Sequence, residues 1–334
     1  MKSQWMIYGA RTHSAAGQLR LPNKMECWMK LIRIVLVVLL FVSAAVSADY
    51  SRDQAMTVAH LNGIDVAYTS VGDINAPSVL MIMGLTGSHR VWREDFINGL
   101  AAAGYHIILF DNRDTGESAR LDALGEPAVW WQWLKNTAGF KVDGPYSLDD
   151  MAADSIAVLD ALDIEKAHIV GASMGGMIAQ IVAAEYPQRT ASLVSIMSSA
   201  GARHLPRSER RGENGREGMT EAELHDLGFH LEAVPRQLTA IYASGDRSEQ
   251  VRTIGVPTLV LHGEDDTVLP VAHGLHTHEL ITGSTYISYP GMGHRLPPEL
   301  LSTFVSEMTN HFSAAAEAVT EVNPQELSDE IRLP

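Results

Sequence analysis

Cysteine is nearly missing from this chain of 334 residues, in which Cys27 is the only one. A single cysteine forms no disulfide within the chain and builds no cysteine-rich metal site. Positive charge is also scarce: 25 Lys and Arg stand against 40 Asp and Glu, a net charge of −15. A surface of that sign repels phosphate backbones, which excludes nucleic acid as a partner. Long apolar runs are rare too. The one that stands out, from about Ile34 to Val46, falls short of the roughly 20 residues that a spanning helix needs. No internal repeat is evident. With 46% hydrophobic and 19% charged residues, the chain can nevertheless bury a sizeable α/β core.

The apolar run belongs to an N-terminal segment that is read apart from the fold. From Met29 it shows a short basic start with Lys30 and Arg33, then the apolar stretch, then small residues ending in Val46-Ser47-Ala48. That is the layout of a secretory signal peptide cleaved after Ala48, which implies a secreted or periplasmic protein. The alternative is an uncleaved N-terminal anchor, the one route by which this sequence would meet a membrane. Residues 1–28 read as a long basic region of that signal or as sequence before the true start. Loss of residues 1–48 would remove Cys27, and with it any thiol nucleophile, and take the net charge to −20.

Beyond this segment, short apolar runs alternate with helix-like periods. "TVAHL" and "IDVAYTSVG" flank Asn62-Gly63, a hairpin signal. "SVLMIMG", "HIILF", "AHIVG", "ASLVSIM", "PTLVLHG" and "TYISYP" follow as strands, the continuous apolar ones of the kind a buried parallel sheet needs. Helices are expected from about Val91 to Ala103, Leu148 to Leu162 with Ser147 as N-cap, Ser173 to Tyr186, and Pro297 to Phe312. This alternation predicts a mostly parallel central sheet with helices on both faces. The expected layout is a core in two parts, 49–200 and 255–314, an inserted region 201–254, and a solvated tail 315–334. Two stretches break the rhythm: a tryptophan-rich connection with Trp130, Trp131 and Trp133, and a charged run after Ala202.

The chemistry starts at "IVGASMGGMIAQ", where Ser173 sits between Gly171 and Gly175. A G-x-S-x-G match arises by chance in roughly one chain in ten of this length and composition. Its setting is more telling. An apolar strand precedes Ser173 and a helix follows it, the sharp turn of a nucleophile elbow, whose neighbours must be small. A serine hydroxyl needs a base and the base an orienting carboxylate, in the chain order serine, acid, histidine. "LVLHGEDDTVLP" supplies the acid after a late strand, with Asp266 favoured and Asp265 as the alternative. "SYPGMGHRLPPEL" supplies His294 in the next loop. Two backbone N–H groups would hold the oxyanion, from Met174 and from Leu85 in "MGLTGSHRVW", where Gly84 lets the chain approach a ligand closely. His273, His276 and His278 lack a matching carboxylate design and are not read as a metal site. "DNRDTGES" lacks the glutamate that closes a calcium loop and reads as a structural turn.

Together, Met83 to Gly87, Asp111 to Ser118, Gly171 to Gly176, Gly263 to Pro270 and Gly291 to His294 resemble the α/β-hydrolase superfamily. Within it they are most similar to the bacterial branch containing aclacinomycin methylesterase-like proteins. The likeness spans about Val58 to Phe312. It implies an α/β-hydrolase fold with a shortened cap across 201–254, Ser173 as nucleophile, Asp266 as acid, His294 as base, and Leu85 and Met174 as oxyanion donors. Met83 departs from the histidine many relatives carry, and Asp114 from the commoner glycine.

The function this implies is a serine hydrolase that cleaves a small-molecule carboxylic ester without cofactor or metal. C–C bond hydrolysis or perhydrolysis on the same residues is the alternative, as is a ligand-binding receptor with a weak triad. The tryptophans Trp130, Trp131 and Trp133, with Gly84, are the expected substrate contacts. The oligomeric state is left open.

Overall fold

The protein is seen in a computed structural model that describes residues 49–207 and 219–322. The expected signal segment, part of the charged run and the end of the tail lie outside the described residues.

The hairpin signal at Asn62-Gly63 joins strands β1 (Thr57–Leu61) and β2 (Ile64–Val71), with both turn residues at positive φ as a tight two-residue hairpin requires. The apolar runs follow as β3 (Ser78–Ile82), β4 (His106–Phe110), β5 (Ala167–Ala172), β6 (Thr190–Ile196), β7 (Thr258–Gly263) and β8 (Thr285–Tyr289). They form one sheet in the order β1-β2-β4-β3-β5-β6-β7-β8, antiparallel in the pairs β1/β2 and β2/β4 and parallel in the rest. The chain steps from β3 outward to β4 and then crosses back to β5. The crevice between β3 and β5 is therefore the switch point at which sheets of this kind bind ligands.

Because the central strands β3, β4 and β5 are buried at every position, alternate side chains feed two cores. Leu80, Ile82, Ile108, Phe110 and Ile169 pack against α3 (Leu148–Ala161) and α4 (Met174–Glu185). Val79, Met81, Ile107, Leu109 and Val170 pack on the other face against α1 (Glu94–Ala102) and α9 (Leu301–Val322). Each fully buried Leu, Ile or Val contributes about 1.5–3 kcal/mol relative to exposure, so the double burial fixes the sheet between its helices. Ser147 caps α3 in a full capping box with Asp150. The last helix differs from expectation. It runs on past Phe312 to Val322, and the buried Ala315 shows that the segment beginning at 315 starts as helix rather than as solvated tail.

After β6 the chain leaves the sheet for α5 (Glu221–Asp226), α6 (Val234–Ser244) and α7 (Ser248–Arg252), and it returns through β7 to α8 (Ala272–Leu280). The tryptophan-rich connection forms α2 (Val129–Thr137), which packs against α6. The cap is thus drawn from two separate connections, where the sequence pattern had placed it in 201–254 alone.

Candidate active site

Ser173 is the first residue after β5 and the N-cap of α4, with φ 56 and ψ −120. A non-glycine residue at that φ costs of order 1–3 kcal/mol and persists only where its surroundings enforce it. Here they do. Ser173 N donates to the Ile196 carbonyl at 2.9 Å, and the Ser173 carbonyl accepts from Ser198 Oγ at 2.9 Å. The flanking glycines have a steric cause as well. A Cβ on Gly171 would lie 2.1 Å from the Gly175 carbonyl oxygen, and one on Gly175 would lie 2.1 Å from that of Ile82. No side chain fits between β3, β5 and the first turn of α4.

His294 and Asp266 follow β8 and β7, so the C-terminal ends of three parallel strands bring together residues up to 121 positions apart in sequence. Ser173 Oγ lies 2.9 Å from His294 Nε2, and His294 Nδ1 lies 2.7 Å from Asp266 Oδ2. With Nδ1–H donating to the carboxylate, Nε2 is left to accept the serine proton. Asp266 Oδ1 accepts from the backbone N–H groups of Val268 at 2.9 Å and Leu269 at 2.8 Å. Burial opposes the charge on Asp266. The hydrogen bonds from His262, His294 and the Leu269 N–H outweigh it and hold the carboxyl well below the usual carboxylate range. The neighbouring Asp265 is the alternative that this geometry does not use; its N–H is turned to the Met292 carbonyl.

His262 was not singled out by the sequence. Its ring is fully buried, with Nε2 2.7 Å from the Leu269 carbonyl and 3.5 Å from Asp266 Oδ2. It braces the loop that carries Asp266. The signal for it was weak, a histidine in an otherwise apolar strand four residues before Asp266.

Gly84 faces Ser173: a Cβ there would lie 3.0 Å from the Ser173 Cβ. The adjacent N–H of Leu85 and the N–H of Met174 at the start of α4 donate to no protein group among the described residues. The helix N-terminus adds positive potential at that point. The "DNRDTGES" turn supports the same loop, since Asn112 Nδ2 donates to the Met83 carbonyl at 2.8 Å. Asp111 in the same turn accepts from the His89 N–H at 2.7 Å and from its Nδ1 at 2.9 Å.

Asp114, the departure from glycine, has φ 67, which explains why glycine suits the position. Its carboxylate takes two hydrogen bonds from Arg236 on α6, at 2.8 and 2.9 Å, and one from the Tyr146 hydroxyl at 2.8 Å. Arg236 and Asp114 are both buried, so the pair ties the cap to the core in the absence of water.

A cavity of about 2020 Å³ opens above Ser173 and His294, walled largely by apolar side chains that include Met177, Leu238, Ile241 and Phe229. Trp130 and Trp133 line it. Trp131 does not: it is 45% exposed and meets Trp130 edge-on, because successive residues of α2 point to different sides. The grouping of all three tryptophans around the substrate is corrected accordingly. The histidines of α8 are engaged separately, His273 with Ser199 and the Pro206 carbonyl, His276 with Ser248, and His278 with Ser284.

Residues 77–222 match the family model described as the alpha/beta hydrolase fold. The chain carries the α/β-hydrolase fold. Among curated relatives, this hydrolase is 27% identical to rhodomycin D methylesterase from a Streptomyces species over 297 residues, 73% of this chain and 94% of the relative. It is also 27% identical to a putative non-heme bromoperoxidase from Mycobacterium tuberculosis over 270 residues, 69% and 91% of the two chains. Among solved structures, it superposes on a meta-cleavage product hydrolase from Pseudomonas fluorescens with a TM-score of 0.60 at 25% identity, covering 78% and 98%. The enol-lactonase of Burkholderia xenovorans, at 20% identity and a TM-score of 0.60, covers 77% and 100% and shares the fold. The methylesterase relatives agree with the branch that the sequence motifs resemble.

Proposed function

We propose that this hydrolase cleaves carboxylic esters through an acyl-enzyme formed on Ser173. The observation that carries this reading is the hydrogen-bonded chain Ser173–His294–Asp266, with links of 2.9 and 2.7 Å, set at a strained elbow beside two unengaged backbone N–H groups. His294 Nε2 takes the hydroxyl proton as Ser173 Oγ attacks the acyl carbon. The N–H groups of Leu85 and Met174 receive the developing oxyanion, a contribution of about 3–4 kcal/mol per donor in enzymes of this type. The protonated ring then gives its proton to the departing alkoxide, and the alcohol leaves. A water deprotonated by the same nitrogen attacks the acyl group, and collapse of the second tetrahedral intermediate returns the proton to Ser173 and frees the acid. Asp266 stays ionised throughout and stabilises the imidazolium. The methylesterase names among the relatives favour an ester over a carbon–carbon bond as substrate.

Labelling with a fluorophosphonate probe, together with turnover of nitrophenyl esters of short and medium acyl chains, tests the reading. Labelling and turnover that vanish in Ser173→Ala and His294→Ala are expected. A folded wild type that neither labels nor turns over any ester would overturn it. The N-terminal segment adds export to this proposal. A chain recovered from the medium or periplasm should begin at Asp49, and one retained at full length in the cytoplasm would contradict export.

A further inference from the structure

The turn carrying the Leu85 N–H is held from both sides by side chains that are not its neighbours in sequence. Upstream, Asn112 binds the Met83 carbonyl. Downstream, the Thr86 N–H donates at 2.7 Å to Gln237 Oε1, and Gln237 comes from the cap helix α6. The amide of Gln237 has no spare capacity on its donor side, since Nε2 reaches the Arg113 carbonyl at 3.0 Å and Thr115 Oγ1 at 3.1 Å. It is completely buried, and its chain neighbour Arg236 makes the ion pair with Asp114.

Thr86 explains why such an anchor is needed. Gly84 to Gly87 form a tight turn closed by Gly87 N to the Gly84 carbonyl at 3.2 Å, with Thr86 at φ 56, a region that favours glycine and penalises a β-branched residue. Relaxation of Thr86 to negative φ requires the Leu85–Thr86 peptide to turn over. That rotation would swing the Thr86 N–H away from Gln237 and reshape the turn that aims the Leu85 N–H at the reacting carbonyl.

We infer that Gln237 is a positioning residue for the oxyanion loop, so that seating of the cap and formation of the oxyanion hole are one event. The inference rests on the proposed role of Leu85 in ester cleavage. Gln237 touches no reacting atom. It acts by keeping the strained turn in the one arrangement that presents the Leu85 N–H, and α6 thereby belongs to the catalytic apparatus as well as to the substrate wall.

The test compares wild type with Gln237→Met, which keeps the volume and deletes every hydrogen bond. Loss of a whole oxyanion donor lowers kcat by about 10²–10³, and a donor that is present but misaimed should cost about ten- to a hundredfold. The expected result is a kcat reduced within that range, KM changed less than threefold, and affinity for a trifluoromethyl ketone analogue reduced by the same factor as kcat. Affinity for the product alcohol should stay unchanged. A purely structural role would lower the melting temperature without this split. If Gln237→Met does not fold, Gln237→Asn carries the same test, because its amide is one methylene short of Thr86. Unchanged kcat in either folded variant, or a loss confined to KM, overturns the inference. A wild type with no esterase activity would instead refute the parent reading, so the two failures are distinguishable.

Discussion

The sheet edge that holds Ser173 and the cap that covers it are built on different principles. At the elbow, position is enforced by backbone: glycines that admit no Cβ, a strained serine pinned by Ile196 at the end of β6 and Ser198 just beyond it, and loops a few residues long after β7 and β8. In the cap, position is enforced by a few buried polar side chains reaching across more than a hundred residues, Arg236 to Asp114 above all. Backbone constraint is local and steric, and a motif can report it. Side-chain anchoring depends on a partner that no local pattern names. The elbow should therefore tolerate loss of its hydroxyl in stability but not in activity, whereas the Arg236–Asp114 anchor should weigh first on stability.

The largest effect expected is on activity. Ser173→Ala should lower kcat at least about 10⁴-fold while leaving the urea midpoint within error, since only one hydroxyl is lost from an enforced turn. A variant that loses activity and unfolds together would erase the distinction between the two regions. Next comes Asp266→Asn. Its amide would favour the wrong imidazole tautomer on His294 and should cost roughly 10³–10⁴ in kcat with KM little changed, as steady-state kinetics would show.

In the cap, Asp114→Ala would leave the buried Arg236 with the Gly125 carbonyl and the exposed carboxylate of Asp122. A loss of roughly 3 kcal/mol in chemical denaturation is expected, at the low end for a broken buried ion pair. The double variant Asp114→Leu with Arg236→Met should recover most of that loss. If the single variant is as stable as wild type, the cap is held by its apolar contacts and the contrast drawn above fails.

The smallest effect concerns acid. Burial pushes the His168 imidazole down to about 4, helped by His311 and Lys166 nearby, and the ring stacks on Phe312 of α9 at 4.2 Å. A histidine whose folded pKa lies below its unfolded value of about 6.5 binds protons more readily when unfolded, so stability falls as pH drops from about 6.5 toward 4. Between pH 7 and pH 5 the loss should be about 2 kcal/mol, read as a falling denaturation midpoint. The His168 share of it should be missing in His168→Gln, while His106, His273 and His311, also lowered by burial, keep theirs. The hydrogen bond from Arg236 holds the Asp122 carboxyl below its ordinary range, so the Arg236–Asp122 pair persists through this window. Hydrogen exchange at pH 5 should accordingly loosen β5 and α9 before α6. The opposite order would invert the comparison.

Much of the sheet edge was legible in advance. Runs such as "HIILF" and "AHIVG" can only be doubly buried strands, and Gly171, Ser173 and Gly175 between strand and helix identify a turn too tight for larger residues. Asp266 and His294 could be picked out because each follows a strand by a short loop, and the structure brings both to Ser173. Asp114 was visible only as an exception to glycine, and Trp131 was grouped with Trp130 and Trp133 because composition does not reveal which side of a helix meets the cavity. The helix α9 outran its expected end because its apolar spacing thins after Phe312 while the backbone continues.

The order of strands and helices and the tight turn at Ser173 were readable in the chain before any fold was seen. Periodicity and steric demand are properties of neighbouring residues, and they can be read in order along the chain. That Gln237 meets Thr86, Arg236 meets Asp114 and His262 braces Asp266 follows from tertiary packing alone. Those contacts depend on which distant groups are left buried and unsatisfied when the cap closes on the sheet, and a buried polar atom takes whichever partner the packing brings within reach.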